Sequence, residues 1–174
     1  MTQSFRIRRL AAAETRAAAP ALAAILKDCV EGGASVSFMA DMTLVEALDF
    51  WTGVARAQAE DGRAVIVAED DQGLFGVVEV IPAGPPNQPR RGDVAKMLVH
   101  PRGRRRGVGE ALMRAAEQAG RDLGKSLLTL DTVEGEAAER LYARLGWVRV
   151  GVIPRYALMP DGRPCGTVVF YKDI

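Results

Sequence analysis

Arg104-Arg105-Arg106-Gly107-Val108-Gly109 lies between an apolar run, Met97-Leu98-Val99, and an amphipathic stretch, Glu110 to Leu123. That order calls for a strand that stops and a helix that starts within six residues. The first turn of such a helix leaves backbone N–H groups unpartnered, and the aligned peptide dipoles place partial positive charge at the same spot. Gly107 and Gly109 carry no Cβ, so a pyrophosphate can approach the main chain, and three guanidinium groups add charge and forked donors. The predicted ligand is a nucleotide-like diphosphate. It is not held by a P-loop, which needs Gly-Lys-Ser/Thr at its end, nor by a dinucleotide fingerprint, whose third glycine is replaced here by Leu112.

The rest of the chain alternates elements in the same manner. Phe5 to Arg9 has strand character, and Glu14 to Val30 repeats Leu22, Ile25, Leu26 and Val30 at helical spacing, with Pro20 expected to start or kink that helix. Gly32-Gly33 ends it, and Thr43 to Glu60 predicts a second helix with Leu44, Leu48, Trp51 and Ala55 inward. Ala64 to Glu69 and Leu74 to Ile81 predict a hairpin across Asp70-Asp71-Gln72-Gly73. Pro82 to Gly92, with four prolines, reads as a loop before a strand from Asp93 to His100. Ser126 to Thr132, Trp147 to Val152 and Thr167 to Lys172 read as strands, and Glu136 to Leu145 as a helix. The order β-α-α-β-β-β-α-β-α-β-β predicts a mixed α/β fold with helices flanking a central sheet.

At 174 residues the chain is expected to form a single domain over 1–174, and 48% hydrophobic residues supply its core. The 23 basic and 22 acidic residues leave a formal net charge of +1, which gives no field for nucleic acid or an anionic membrane surface. Two cysteines, Cys29 and Cys165, and one histidine, His100, offer no metal-ligand spacing and no disulfide framework. No metal is expected. Met1 to Arg9 lacks a signal-peptide core and no apolar run is long enough to span a bilayer, so a cytoplasmic setting is the default.

The pattern Arg104-x-x-Gly107-x-Gly109, with its preceding strand, its following helix, the strand Ser126 to Thr132 and the helix containing Tyr142, resembles the GNAT family of N-acetyltransferases. The resemblance implies that family's mostly antiparallel sheet and an acetyl-CoA pyrophosphate held by Arg104, Arg105, Arg106, Gly107, Val108 and Gly109. It also implies a bulge in the central strand: Met97, Leu98 and Val99 then act through backbone, with an N–H near Leu98 on the thioester oxygen and Val99 and its neighbours on the pantetheine amides. Tyr142 matches the tyrosine whose hydroxyl donates to the leaving sulfur. As an aromatic on an amphipathic helix it also reads as a core residue.

A longer likeness runs through Gly32-Gly33-Ala34-Ser35-Val36-Ser37-Phe38-Met39-Ala40-Asp41, Leu130-Asp131-Thr132 and Pro160-Asp161-Gly162-Arg163, which are similar to the tabtoxin resistance subgroup of that family. There the segment between the first two helices covers the acceptor side, which implies Gly33, Ser35, Phe38 and Asp41 as substrate-binding residues. The same residues also read as a plain helix–helix connection. Asp93 and Asp131 are the paired carboxylates expected at the cleft. Relatives carry glutamate at the position of Asp93, so its carboxylate is set back by a methylene and a bridging water would complete its reach.

The implied chemistry narrows the acceptor. An amine attacks only when neutral, and an α-amine with a pKa of about 8 is far closer to neutrality at pH 7 than a lysine at about 10.4, which costs roughly 4–5 kcal/mol to deprotonate. Two carboxylates favour the cation, so they suit recruitment of an ammonium and relay of its proton from an α-amine. The expectation is direct acetyl transfer from acetyl-CoA to a small, amino-acid-like amine. A protein N-acetyltransferase and a catalytically silent acyl-CoA-binding module are the alternatives. The oligomeric state is not legible. His100 before Pro101 reads as a loop residue, both cysteines as ordinary thiols, and Arg102 as solvent-facing.

Overall fold

A computed structural model describes residues 4–174; Met1 to Gln3, part of the terminus read above, lie outside the described residues. Seven strands form one sheet: β1 (Arg6–Leu10), β2 (Ala64–Asp70), β3 (Gly73–Pro82), β4 (Arg91–Val99), β5 (Leu127–Val133), β6 (Val148–Leu158) and β7 (Pro164–Asp173), in the order β1-β2-β3-β4-β5-β7-β6. The helices are α1 (Ala12–Glu31), α2 (Leu44–Asp61), α3 (Val108–Asp122) and α4 (Ala137–Arg144). The element order predicted from the sequence is the one observed, and only the β4–β5 pair is parallel. Among the described residues no helix is long and apolar enough to cross a membrane.

The period-two alternation of β2 shows how the layers form. Val65 and Val67 enter a core with Leu22, Leu26 and Trp51 of α1 and α2, whereas Ala64, Ile66 and Ala68 enter a second core with Leu112 and Met113 of α3. Both faces of the strand are therefore buried. The α1–α2 layer is tied to the sheet by a buried chain in which Thr15 Oγ1 donates to Gln58 Oε1 at 2.7 Å and Gln58 Nε2 donates to Leu10 O at 2.7 Å. α2 starts on a capping box, with Thr43 N donating to Glu46 Oε2 at 2.7 Å and Glu46 N donating to Thr43 Oγ1 at 3.2 Å.

Two local expectations need revision. Pro20 does not begin the first helix, which runs through it from Ala12 to Glu31. Pro20 and Arg16 are both exposed, so the Arg16 carbonyl that loses its donor can turn to water. The last hairpin is longer than read: β6 reaches Leu158 and β7 begins at Pro164. Pro154 and two register shifts obscure the pattern, yet β6 is an edge strand, where a missing N–H and bulges are tolerated.

Between β4 and α3 a single 3₁₀ turn, Pro101–Gly103, sets the loop against the sheet. A Cβ on Gly103 would stand 2.4 Å from Cδ2 and 2.8 Å from Cε2 of Phe75, a ring with no exposed surface. Gly103→Ala is expected to cost about 2–3 kcal/mol through overpacking and to lower the melting temperature by about 5–10 °C. Scanning calorimetry reads this directly. A transition within about one degree of wild type would mean that Phe75 yields freely.

Candidate active site

The parallel pairing of β4 with β5 covers only Arg91, Gly92 and Asp93 against Leu127, Leu128 and Thr129. Beyond Asp93 the two strands part. On the other side of β4, Glu79 of β3 opposes Ala95 and Val77 opposes Leu98, so Lys96 and Met97 together face the single residue Val78. This is a β-bulge, and Lys96 carries its irregularity with φ of 50°. A cavity of about 650 Å³ occupies the resulting gap, lined on one side by Val94 to Val99 and on the other by Leu130 to Val133.

One end of this cavity is the start of α3. Gly107 is its N-cap at φ 79°, a left-handed conformation that suits glycine, and a Cβ there would touch no atom within 4 Å. The first helical bond runs from Ala111 N to Gly107 O at 3.0 Å, so the N–H groups of Val108, Gly109 and Glu110 precede the ladder, and these residues line the cavity. Arg104 and Arg105 line it too, Arg104 with Nε donating to Val99 O at 3.2 Å.

The remaining arginines of the run are committed elsewhere. Arg102 is not solvent-facing: its Nη1 grips both carboxylate oxygens of Asp70 at 3.0 and 2.8 Å, and its guanidinium stacks 4.5 Å from the Phe75 ring. Arg106, expected beside the pyrophosphate, lies outside the cavity lining, 3.6 Å from Asp70 and 5.2 Å from the Phe75 ring centroid. Arg102, followed by the half-buried second cation, holds the Asp70 carboxyl below the usual carboxylate range. These two arginines brace the loop against the β2–β3 turn.

Main-chain direction along β4 follows from one bond. His100 N donates to Phe75 O at 2.8 Å, and Leu98 pairs with Val77, so both turn toward β3. The alternation of an extended strand turns Val99, and Met97 before it, toward the gap. Leu98 is therefore displaced as the expected N–H donor, and its side chain is buried in the α1–α2 core. His100, read as a loop residue, lies outside the cavity lining: Nδ1 accepts from Arg102 N at 3.2 Å and Nε2 lies 3.0 Å from Asp28 Oδ2.

Tyr142 and Asp131 both line the cavity. The Tyr142 ring is packed edge-on against Phe170, centroids 5.9 Å apart, yet among the described residues its hydroxyl has no hydrogen-bond partner. Burial, with the Asp131 charge second, pushes its pKa far above the ordinary phenol value and keeps it protonated. Asp131 is exposed toward the cavity, with Oδ2 accepting from Thr167 Oγ1 at 2.8 Å. Asp93 is not brought to it. Its carboxylate is bound by Arg91 and by Thr129 Oγ1 at 2.5 Å, where the strands still pair, outside the cavity lining.

The segment between α1 and α2 also borders the cavity. Gly33 and Ser35 line the cavity, and Ser35 Oγ donates to Leu158 O at 3.0 Å while Ala40 N donates to Pro160 O at 3.0 Å. Phe38 and Asp41 stand back from it. Phe38 packs on Phe50 at 5.3 Å between centroids, and Asp41 borders a separate shallow depression with Met39 and Asp161. Cys29 is also in the lining, its Sγ 3.7 Å from Val99 O, and burial pushes its thiol up.

The model of the acetyltransferase (GNAT) domain matches residues 61–149, just over half of the chain. The chain belongs to the GNAT acetyltransferase family. As a GNAT protein it is an acyltransferase, and its fold recurs in solved relatives. A ribosomal-protein-alanine N-acetyltransferase from Brucella melitensis is 24% identical, with 97% of this chain and 99% of that one covered and a TM-score of 0.81. The yncA protein from Salmonella typhimurium, solved with its cofactor acetyl-CoA, is 18% identical over 98% of this chain and 94% of that one, with a TM-score of 0.80. A GNAT acetyltransferase from Streptococcus pneumoniae is 21% identical over 98% and 100%, with a TM-score of 0.79.

Several cavity residues, among them Lys96, Glu136, Arg144 and Met159, escaped the sequence reading. Lys96 lines the gap beside Asp131. Its signal was a cation at the position where the alternation Val94, Lys96, Leu98 calls for an apolar side chain.

Proposed function

We propose that this protein transfers the acetyl group of acetyl-CoA to the amine of a small, amino-acid-like acceptor by direct attack, without an acetyl-enzyme. The observation that carries the reading is that the start of α3, the parted edge of β4, Tyr142 and Asp131 all border one cavity. The residues present fit the cofactor: free N–H groups of Val108, Gly109 and Glu110, with Arg104 and Arg105, match a pyrophosphate. Main-chain groups of Val99 and Met97 on the unpaired edge of β4 match an extended amide chain. Acetyl-CoA supplies the activated thioester.

This chain's own groups do the rest. A main-chain N–H at the bulge polarises the acetyl carbonyl, and the protonated Tyr142 hydroxyl donates to the departing sulfur. Asp131 attracts the acceptor's ammonium and accepts its proton before attack. The small acceptor is supported by the likeness of the Gly32 to Asp41 segment to the tabtoxin resistance subgroup. A second reading, a protein N-terminal acceptor, draws support from the Brucella relative, which is named for acetylating ribosomal-protein alanine.

Gly107→Val tests the cofactor end. A branched side chain at φ 79° strains the cap and shields the donors, so acetyl-CoA affinity is expected to fall by about tenfold or more. Calorimetric titration of folded protein, followed by thiol release across free amines, amino acids and peptides, checks both halves. Unchanged affinity would reduce the loop to a helix cap, and peptide-only turnover would favour the second reading.

A further inference from the structure

Lys96 is a cation at the bulge with no counter-charge in contact among the described residues. Its Nζ lies 3.4 Å from Ser37 Oγ, 5.3 Å from the Phe50 ring centroid and 5.9 Å from that of Phe38. Among the described residues no carboxylate comes within 4.0 Å of it. Glu79 and Asp131 act on it only at longer range. Glu79 is buried, and the cation in contact with it is Arg63, with Nη1 at 3.4 Å. Burial pulls the Lys96 pKa below the ordinary lysine value, which is the expected response of an ammonium that lacks an anion.

Arg104, Arg105 and Glu110 by the start of α3 and Glu136 and Arg144 by α4 also line the cavity, but on the two parted strands its charges are Asp131 of β5 and Lys96 of β4. We propose that Lys96 receives the carboxylate of the acceptor, so that the acceptor is a free α-amino acid whose amino group faces Asp131. The inference rests on the transferase reading and deepens it by naming the second group that the acceptor must carry. The Phe38 and Phe50 rings, with Ser37, hold the ammonium in place by cation–π contact and a hydroxyl acceptor. Phe38 then belongs to the acceptor side through Lys96, without bordering the cavity itself. A peptide N-terminus carries an amide where the free amino acid carries its carboxylate, so the same ammonium would discriminate against peptides.

The test compares free α-amino acids with their matched carboxamides and decarboxylated amines, read as thiol release from acetyl-CoA. Wild type is expected to favour the best acid over its carboxamide by about ten- to a hundredfold in kcat/KM. The less basic amine of the carboxamide biases against this result. Lys96→Gln should abolish the preference, acting on the acceptor KM and leaving the acetyl-CoA KM unchanged, and Lys96→Arg should retain most of it. Equal use of acid and carboxamide by wild type would overturn the proposal without any variant. So would a preference that survives in Lys96→Gln, or an effect confined to the acetyl-CoA KM. These outcomes leave the transferase reading standing, whereas absence of thiol release with every amine would overturn that reading and this proposal together.

Discussion

Tyr142→Phe will lower kcat by about a hundredfold and leave acetyl-CoA affinity nearly unchanged. The substitution removes one hydroxyl and keeps the ring that packs on Phe170 and Trp147, so the core around α4 is preserved. Charge on the departing sulfur develops only in the transition state, and a donor aimed there contributes to kcat without contributing to binding. The pH dependence has a definite sign. Because burial raises the folded-state pKa, the hydroxyl stays protonated from pH 6 to 9, and the defect should be constant across that range. Steady-state rates with a saturating acceptor read it. Full activity in the variant would return Tyr142 to a packing role.

Asp131→Asn should cost about a hundred- to a thousandfold at pH 6 and far less at pH 9. At low pH nearly all of the acceptor amine is ammonium, and a carboxylate at the cavity is needed to take its proton; as the pH rises toward the amine's own pKa a growing neutral fraction arrives unaided. Asp93→Asn should leave this profile intact, because its carboxylate is already bound by Arg91 and Thr129 outside the cavity lining. Rates from pH 6 to 9 for the two variants separate the carboxylates. A flat response in Asp131→Asn would leave solvent as the base, and a steep one in Asp93→Asn would restore the pair.

What the sequence made legible and what it concealed divide along physical lines. The strand-to-helix junction was legible because its chemistry is local: Gly107 must cap α3, and the N–H groups after it are left free by helix geometry alone. Element order was legible for the same reason, through periodicity. The destinations of Arg102 and Arg106 were not, since both depend on Asp70, which is distant in sequence and reaches them only once β2 and β3 pair. Nor was the displacement of Leu98: the family resemblance implied a bulge, but its register, two residues against Val78, decides which N–H groups turn to the gap. Asp93 and Asp131 were equivalent as strand carboxylates until the point of divergence between β4 and β5 put one of them among paired strands and the other in the cavity. Lys96 was overlooked because a lone cation in an apolar strand breaks the pattern used to find strands.

In the proposed reaction the cavity between β4 and β5 moves an acetyl group directly from acetyl-CoA to an amine. A single-turnover experiment with acetyl-labelled acetyl-CoA, following thiol release, labelled protein and labelled acceptor together, reads this step. Thiol release is expected only when an amine is present, with one labelled acceptor for each thiol and no label on the protein at any time. Label that appears on the protein before the acceptor, or acetyl-CoA that binds without thiol release for any amine, would contradict this reaction.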